Sequence, residues 1–225
     1  MGLLISAMKT FITLIAFVAI ITSVNAQNFI GVKGGPSLAD MPGYKPNVMR
    51  VRFVGGVTFD HQLTKFSSIG ADLIYSQRGY AWEYVLSQGP NAGGADESNI
   101  NFSYDYISLP LKYSMQFGGK LKLFSTVAAV PSILLSAKSK MDKYTSPDGI
   151  EVGGETDLSE DTMKIDIAVQ AEGGISYSLT ETYSLLLSAS YQRSLTYTHD
   201  ENFLGRSIYN ESIMFALGGK MKIGK

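Results

Sequence analysis

The sequence predicts an all-β protein: an eight-stranded antiparallel up-and-down transmembrane β-barrel, preceded by a cleaved signal peptide. Three observations predict it. Apolar and polar residues alternate in eight segments, the connections between those segments alternate between long and short, and the polar face is poor in the dense lysine and glutamate of a water-facing surface.

The export segment comes first. Lys9 precedes an apolar run from Phe11 to Ile21, broken only by Thr13, and then Ser23, Val24, Asn25 and Ala26. That run is about half the roughly 20 apolar residues of a membrane-crossing helix, and the small residues before Gln27 suit a signal peptidase. The expected division is therefore a signal peptide over residues 1–26, cleaved between Ala26 and Gln27, and a barrel domain over residues 27–225. Met8 is an alternative start. Removing residues 1–26 with their single lysine leaves 199 residues, 18 basic and 20 acidic, a net charge of −2. No basic excess marks a nucleic-acid partner.

The first three strands are expected at residues 28–38, 51–61 and 67–84. A fourth lies between Tyr104 and Phe117, with Ile107, Leu109, Leu111, Tyr113, Met115 and Phe117 opposite Tyr106, Ser108, Lys112, Ser114 and Gln116. The fifth covers residues 120–138. The sixth is the clearest: from Met163 to Leu179, Ile165, Ile167, Val169, Ala171, Ile175, Tyr177 and Leu179 share one face. A seventh spans 183–198, and the last runs from Tyr209 to Ile223, with Glu211 and Met214 breaking its alternation.

Long connections are expected at residues 39–50, 85–102, 139–161 and 199–207, and short ones at 61–66, 118–119 and 180–182. Long extracellular loops, short periplasmic turns and an even strand count are the layout of an outer-membrane barrel. Aromatics gather near the strand ends: Phe59, Phe66, Phe117, Tyr177 and Tyr183 by the short turns, and Tyr75, Tyr80, Trp82, Tyr84, Tyr104, Tyr197 and Tyr209 toward the long loops. Two interfacial belts are the expected reading.

Three motifs carry a family resemblance: Gly31-Val32-Lys33-Gly34-Gly35-Pro36-Ser37-Leu38-Ala39, Tyr75-Ser76-Gln77-Arg78-Gly79, and Tyr106-Ile107-Ser108-Leu109-Pro110-Leu111-Lys112-Tyr113. Together they resemble the PorT-like outer-membrane β-barrel family, Tyr106, Pro110, Lys112 and Tyr113 being the most specific positions. The third motif departs from the family in lacking further apolar residues before Lys-Tyr, and the chain ends Ile223-Gly224-Lys225 rather than on an aromatic residue. The resemblance implies fold and an outer-membrane location in a Gram-negative bacterium.

Chemical motifs are sparse. The chain has no cysteine, and its two histidines, His61 and His199, fall at opposite ends of the expected barrel. His199 beside Asp200 is the one candidate for Ser-His-Asp chemistry, and a solvated loop residue explains it as well. The acids Asp96-Glu97 and those between Gly153 and Asp161 lack the spacing of a calcium loop. No cofactor, catalytic residue or metal ligand is expected.

The interpretable constellation is the set of charges on the inferred inner face: Lys33, Arg52, Asp72, Arg78, Lys112, Lys164, Asp166, Glu172, Lys220 and Lys222. Opposite signs in a narrow barrel predict a salt-bridged plug rather than a diffusion pore, a narrow ion path being the alternative. The functional expectation is a non-enzymatic envelope protein embedded in outer-membrane lipid. It would act through four long extracellular loops on a protein or glycan, with residues 139–161 the first choice of contact surface. A lipid-modifying enzyme and a soluble periplasmic ligand-binding barrel are the alternatives.

Overall fold

The computed structural model describes residues 27–41, 47–87, 95–145, 151–198 and 208–224. The expected signal, up to Ala26, lies outside them, as do His199 and Asp200. The strands are β1 (Asn28–Asp40), β2 (Asn47–Gln62), β3 (Ser67–Ser87), β4 (Ala95–Ser108), β5 (Leu111–Gly118), β6 (Leu121–Thr145), β7 (Glu151–Asp157), β8 (Ile165–Ser178), β9 (Tyr183–Ser194) and β10 (Glu211–Ile223).

Every pairing is antiparallel, and β1 pairs with β2 on one side and β10 on the other, so the sheet closes into a ring. Its eight staves are β1, β2, β3, β4 with β5, β6, β8, β9 and β10. β4 and β5 are halves of one stave, interrupted at Leu109 and Pro110 because proline has no N–H for the ladder. The interruption is bridged on both sides: Leu109 N donates to Pro131 O at 2.8 Å and Asp72 N to Pro110 O at 3.0 Å.

Two of the short turns share one device. Thr64 and Thr180 each turn a hydroxyl back onto the next backbone amides, Thr64 Oγ1 accepting from Phe66 and Ser67, and Thr180 Oγ1 from Thr182 and Tyr183. The third turn depends on Gly118 at φ +128°, where a Cβ would stand 2.2 Å from Leu121 O.

The expected lipid face is the observed outer face. Val57, Leu73, Leu111, Leu123, Val127, Ile133, Ile165, Val169, Leu187, Phe215 and Leu217 are all exposed. An apolar surface continuous round a closed ring has one stable solvent, the acyl chains of a membrane. Phe59, Phe66, Phe117, Tyr177 and Tyr183 are exposed beside the short turns and form the expected belt there, with Phe66 and Phe117 stacked at 5.8 Å between centroids.

Three expectations are corrected. Tyr80 and Tyr104 are not interfacial: both are fully buried inside the barrel, where they cluster with Met41, Phe102, Tyr106, Leu134, Ala137 and Ile208, and Trp82 packs against them. Their even numbers, in phase with Arg78 and Tyr106, put them on the inner face. The long connections expected at 85–102 and 139–161 are in part strand: β3 and β4 pair as far as Ser87 and Ala95, and β6 runs to Thr145 with β7 pairing along it. Likewise residues 39–50 shorten as β1 reaches Asp40 and β2 begins at Asn47.

Candidate functional site

The lumen is layered along the barrel axis. At the extracellular end the aromatic cluster fills the cross-section, with Tyr80 and Phe102 stacked at 4.6 Å and Trp82 edge-on to Phe102 at 5.2 Å. Leu158, just after β7, packs on this cluster, and its amide donates to Ala137 O at 2.8 Å.

Below it lies the first charged layer. Arg78 forms a salt bridge to Asp166, both side chains nearly excluded from solvent at 3% and 4% exposure. The guanidinium also donates to Ser132 Oγ at 2.9 Å and Ser108 Oγ at 3.2 Å, and it lies 4.4 Å from the centre of the Tyr106 ring. Asp166 accepts from Ser194 Oγ and Thr196 Oγ1, each at 3.0 Å. The pair is held by hydroxyls from β4, β6 and the β9 end, which supply the hydrogen bonds a buried ion pair needs.

The next layer is a void of about 30 Å³ among Val54, Ile74, Ser76, Pro110 and Met214, room for one water. Met214, the residue that breaks the alternation of β10 in sequence, fills this level from the inside at 8% exposure.

A second charged layer follows. Asp72 sits between Lys33 at 2.9 Å and Lys112 at 2.6 Å; Lys33 also reaches Glu172 at 3.1 Å, and Lys112 reaches Asp60 at 2.9 Å. Lys220 closes the chain onto the other oxygen of Asp60 at 2.6 Å. Three lysines meet three carboxylates, so the layer is neutral. Gly70 makes room for it, since a Cβ there would stand 2.7 Å from Asp60 Oδ1 and 2.8 Å from Lys112 Cε.

Seven of the ten expected inner charges thus fall into these two networks: Lys33, Asp72, Arg78, Lys112, Asp166, Glu172 and Lys220. Three lie outside them. Lys164 is exposed and donates to Ser159 O, because it precedes β8 at the rim and has no lumen to point into. Lys222 is half-buried near the end of β10, outside the ion pairs of the described residues. Arg52 makes no lumen salt bridge among the described residues; the ladder between β2 and β3 slips between Met49 and Val54, and its guanidinium donates instead to Phe102 O at 3.0 Å. Asp60 was missed. It lies within the expected strand 51–61, shares the parity of Thr58 and is 5% exposed on the inner face.

The Tyr106–Tyr113 motif supplies the spine of both layers. Tyr106, Ser108 and Lys112 alternate inward, Tyr106 and Ser108 onto Arg78 and Lys112 onto Asp60 and Asp72, while Pro110 breaks the stave and Tyr113 faces out. His61 stands apart at the short-turn end, with Nδ1 2.7 Å from Asn28 Oδ1.

Beneath the second layer the lumen widens into a cavity of about 1080 Å³ that opens between the three short turns. The salt-bridged layers therefore separate a filled extracellular half from a hollow periplasmic half. Glycine and serine positions on the inner face leave that half without the bulk that Tyr80, Tyr104 and Tyr106 supply above.

An apolar belt outside, paired charges inside and a closed eight-stave ring define an outer-membrane β-barrel that spans the bilayer and is solvated by its lipid. The chain belongs to the family described as the outer membrane protein beta-barrel domain, which matches residues 25–200. No curated protein matches the sequence. Among solved structures it is similar to Neisserial surface protein A at 13% identity, covering 88% of this chain and 99% of that one with a TM-score of 0.47. It is also similar to Ail of Yersinia pestis, solved with the heparin analogue sucrose octasulfate, at 13% identity over 89% and 100% with a TM-score of 0.41. The N-terminal β-barrel domain of Pseudomonas aeruginosa OprF is likewise 13% identical over 88% and 100%, with a TM-score of 0.40. The assignment rests on the family match and on the geometry above.

Proposed function

We propose that this protein is a non-enzymatic outer-membrane barrel whose extracellular β-extension is a contact surface for a protein or glycan. The observation that supports this most is the length of β6. At 25 residues it exceeds by more than a dozen the roughly 9–11 that cross a bilayer, and its outward side chains change from Ile133 and Leu135 to Lys138 and Lys140. Paired with β7, it stands above the membrane as a stiff hairpin whose exposed ion pair, Lys138 to Glu155 at 2.6 Å, belongs in water. A rigid extension on a sealed barrel suits binding better than transport.

The test keeps the barrel and removes the hairpin tip. Met141 faces Gly154 across the ladder, so replacing residues 142–153 with Asn-Gly closes a short hairpin and retains Leu158 on the aromatic cluster. Vesicles carrying either form are presented to a panel of acidic and neutral glycans and to envelope extract. The shortened form is expected to keep its heat-dependent electrophoretic mobility and lose binding; equal binding by both forms refutes the assignment.

We further infer export through a signal cleaved between Ala26 and Gln27, which leaves residues 27–225 as the barrel domain; mass spectrometry of the mature N-terminus checks it. Within the family, we read the Tyr106, Pro110, Lys112 and Tyr113 motif as a resemblance to the PorT-like members.

A further inference from the structure

The cavity at the short-turn end has a charge composition that the ion networks do not exhaust. Its roof is the neutral layer of Lys33, Lys112 and Lys220 with Asp60, Asp72 and Glu172. Its wall and mouth add Lys65, Lys120 and Lys122 against Glu181, a surplus of two positive charges beyond the neutral roof. Lys122 is the innermost of these three, projecting from β6 on the same inward face as Phe124 and Thr126. Lys120 lies 5.2 Å from the centre of the Tyr177 ring, and no ion pair engages Lys65 or Lys122 among the described residues.

The rest of the lining is hydroxyl and amide, including Gln62, Ser68, Gln116 and Ser176, with Phe29 and Phe124 offering apolar ring surface. At about 1080 Å³ the cavity is at the upper end of small-molecule sites. Lys122 is half-buried on the cavity wall, where an uncompensated ammonium attracts an anion more strongly than on an open surface, and Lys65 stands exposed at the mouth.

We propose that this cavity is a periplasm-facing binding site for a sugar-sized anion, a phosphorylated or carboxylated saccharide. Lys122 and Lys65 hold its charge, the hydroxyl and amide walls its hydroxyls, and a phenylalanine ring its apolar face. The site is at the opposite end of the barrel from the proposed contact surface and does not depend on it.

The test is calorimetric titration of the refolded barrel in neutral detergent with glucose 1-phosphate, glucuronate, glucose and inorganic phosphate. Saturable binding of glucose 1-phosphate or glucuronate, weakened by added salt, is expected, with glucose silent. Lys122→Gln is expected to weaken it about tenfold, the scale of one charge-assisted hydrogen bond. Lys164→Gln, exposed at the opposite rim and outside both the cavity lining and the β6–β7 extension, serves as the control and leaves affinity unchanged, and heat-dependent mobility verifies that each variant is folded. Inorganic phosphate binding as tightly as the sugar phosphate reduces the site to a bare anion site and overturns the saccharide assignment. Absence of binding by both sugar anions, or equal loss in Lys164→Gln, overturns the proposal.

Discussion

Removing the Asp166 carboxylate tests the layered lumen most directly. In Asp166→Ala the Arg78 guanidinium remains buried at 3% exposure, with only Ser108, Ser132 and the Tyr106 ring around it, and Ser194 and Thr196 lose their acceptor. An orphaned buried charge of this kind costs about 3–5 kcal/mol. Replacing both partners with apolar side chains, Arg78→Met with Asp166→Leu, removes the orphan. Ser108 and Ser132 already bond each other at 2.8 Å, so the double variant is left with a deficit of about 1–2 kcal/mol from hydroxyls that lose a partner. Urea titration in lipid vesicles, followed through the single tryptophan, Trp82, and through band mobility, measures each step. The double variant is therefore expected to be more stable than Asp166→Ala by about 1–4 kcal/mol. A double variant as unstable as the single, or an Asp166→Ala within about 0.5 kcal/mol of wild type, would show that water reaches Arg78 and that the layer is not a dry seal.

Two further outcomes follow from local geometry. Gly70→Ala places a Cβ 2.2 Å from Phe59 O and against Lys112, so it is expected to lower stability by about 1–3 kcal/mol in the same titration, whereas Gly119→Ala, with open space at its Cβ, is neutral. At the extracellular hairpin, the hydrogen bond from Lys138 holds the Glu155 carboxyl below its ordinary 4.5 and raises the Lys138 ammonium above 10.5. A depressed acid contributes above its unfolded value and is lost as pH falls through the folded one; a raised base contributes below its unfolded value and is lost as pH rises through the folded one. The pair is thus intact between about pH 4.5 and 10.5, and a carbon-detected titration of Glu155 that gives an unshifted midpoint would show the hairpin ion pair to be broken in solution.

The fold was legible because its solvent inverts a simple rule. A strand whose alternate residues meet lipid and lumen must alternate over its whole length, so Met163 to Leu179 and Tyr104 to Phe117 read directly as staves, and the short turns follow from Thr64, Gly118 and Thr180. Parity within each strand also assigns the lumen: seven of the ten expected inward charges meet in two networks. What stayed hidden depends on pairing partners. Tyr80 and Tyr104 have the composition of an interfacial belt, and only their phase with Arg78 reveals them as filling. Segment 139–161 looks like a loop because Asp142, Pro147, Asp148 and Gly153-Gly154 interrupt any pattern, and β7 exists through its ladder with β6 rather than through its own residues. Asp60 was missed although it lies within the expected strand 51–61 and shares the parity of Thr58.

The two ends of the lumen differ for a reason that bears on function. At the extracellular end, side chains from β3 and β4 are large and aromatic, and the wall continues above the membrane, so filling the bore stiffens a structure that has no lipid to support it. At the periplasmic end the inner positions of β5, β8 and β9 carry Ser114, Gln116, Ser176, Ser178 and Ser184, which cannot fill the bore and instead present hydroxyl and amide groups to it. Lysine and carboxylate in equal number seal the boundary between the halves without leaving net charge in the membrane interior. A barrel needed only as an anchor could fill both halves alike. A hollow that is open on one side, closed by a neutral roof and lined by surplus lysines has the shape and charge of the anion site proposed above.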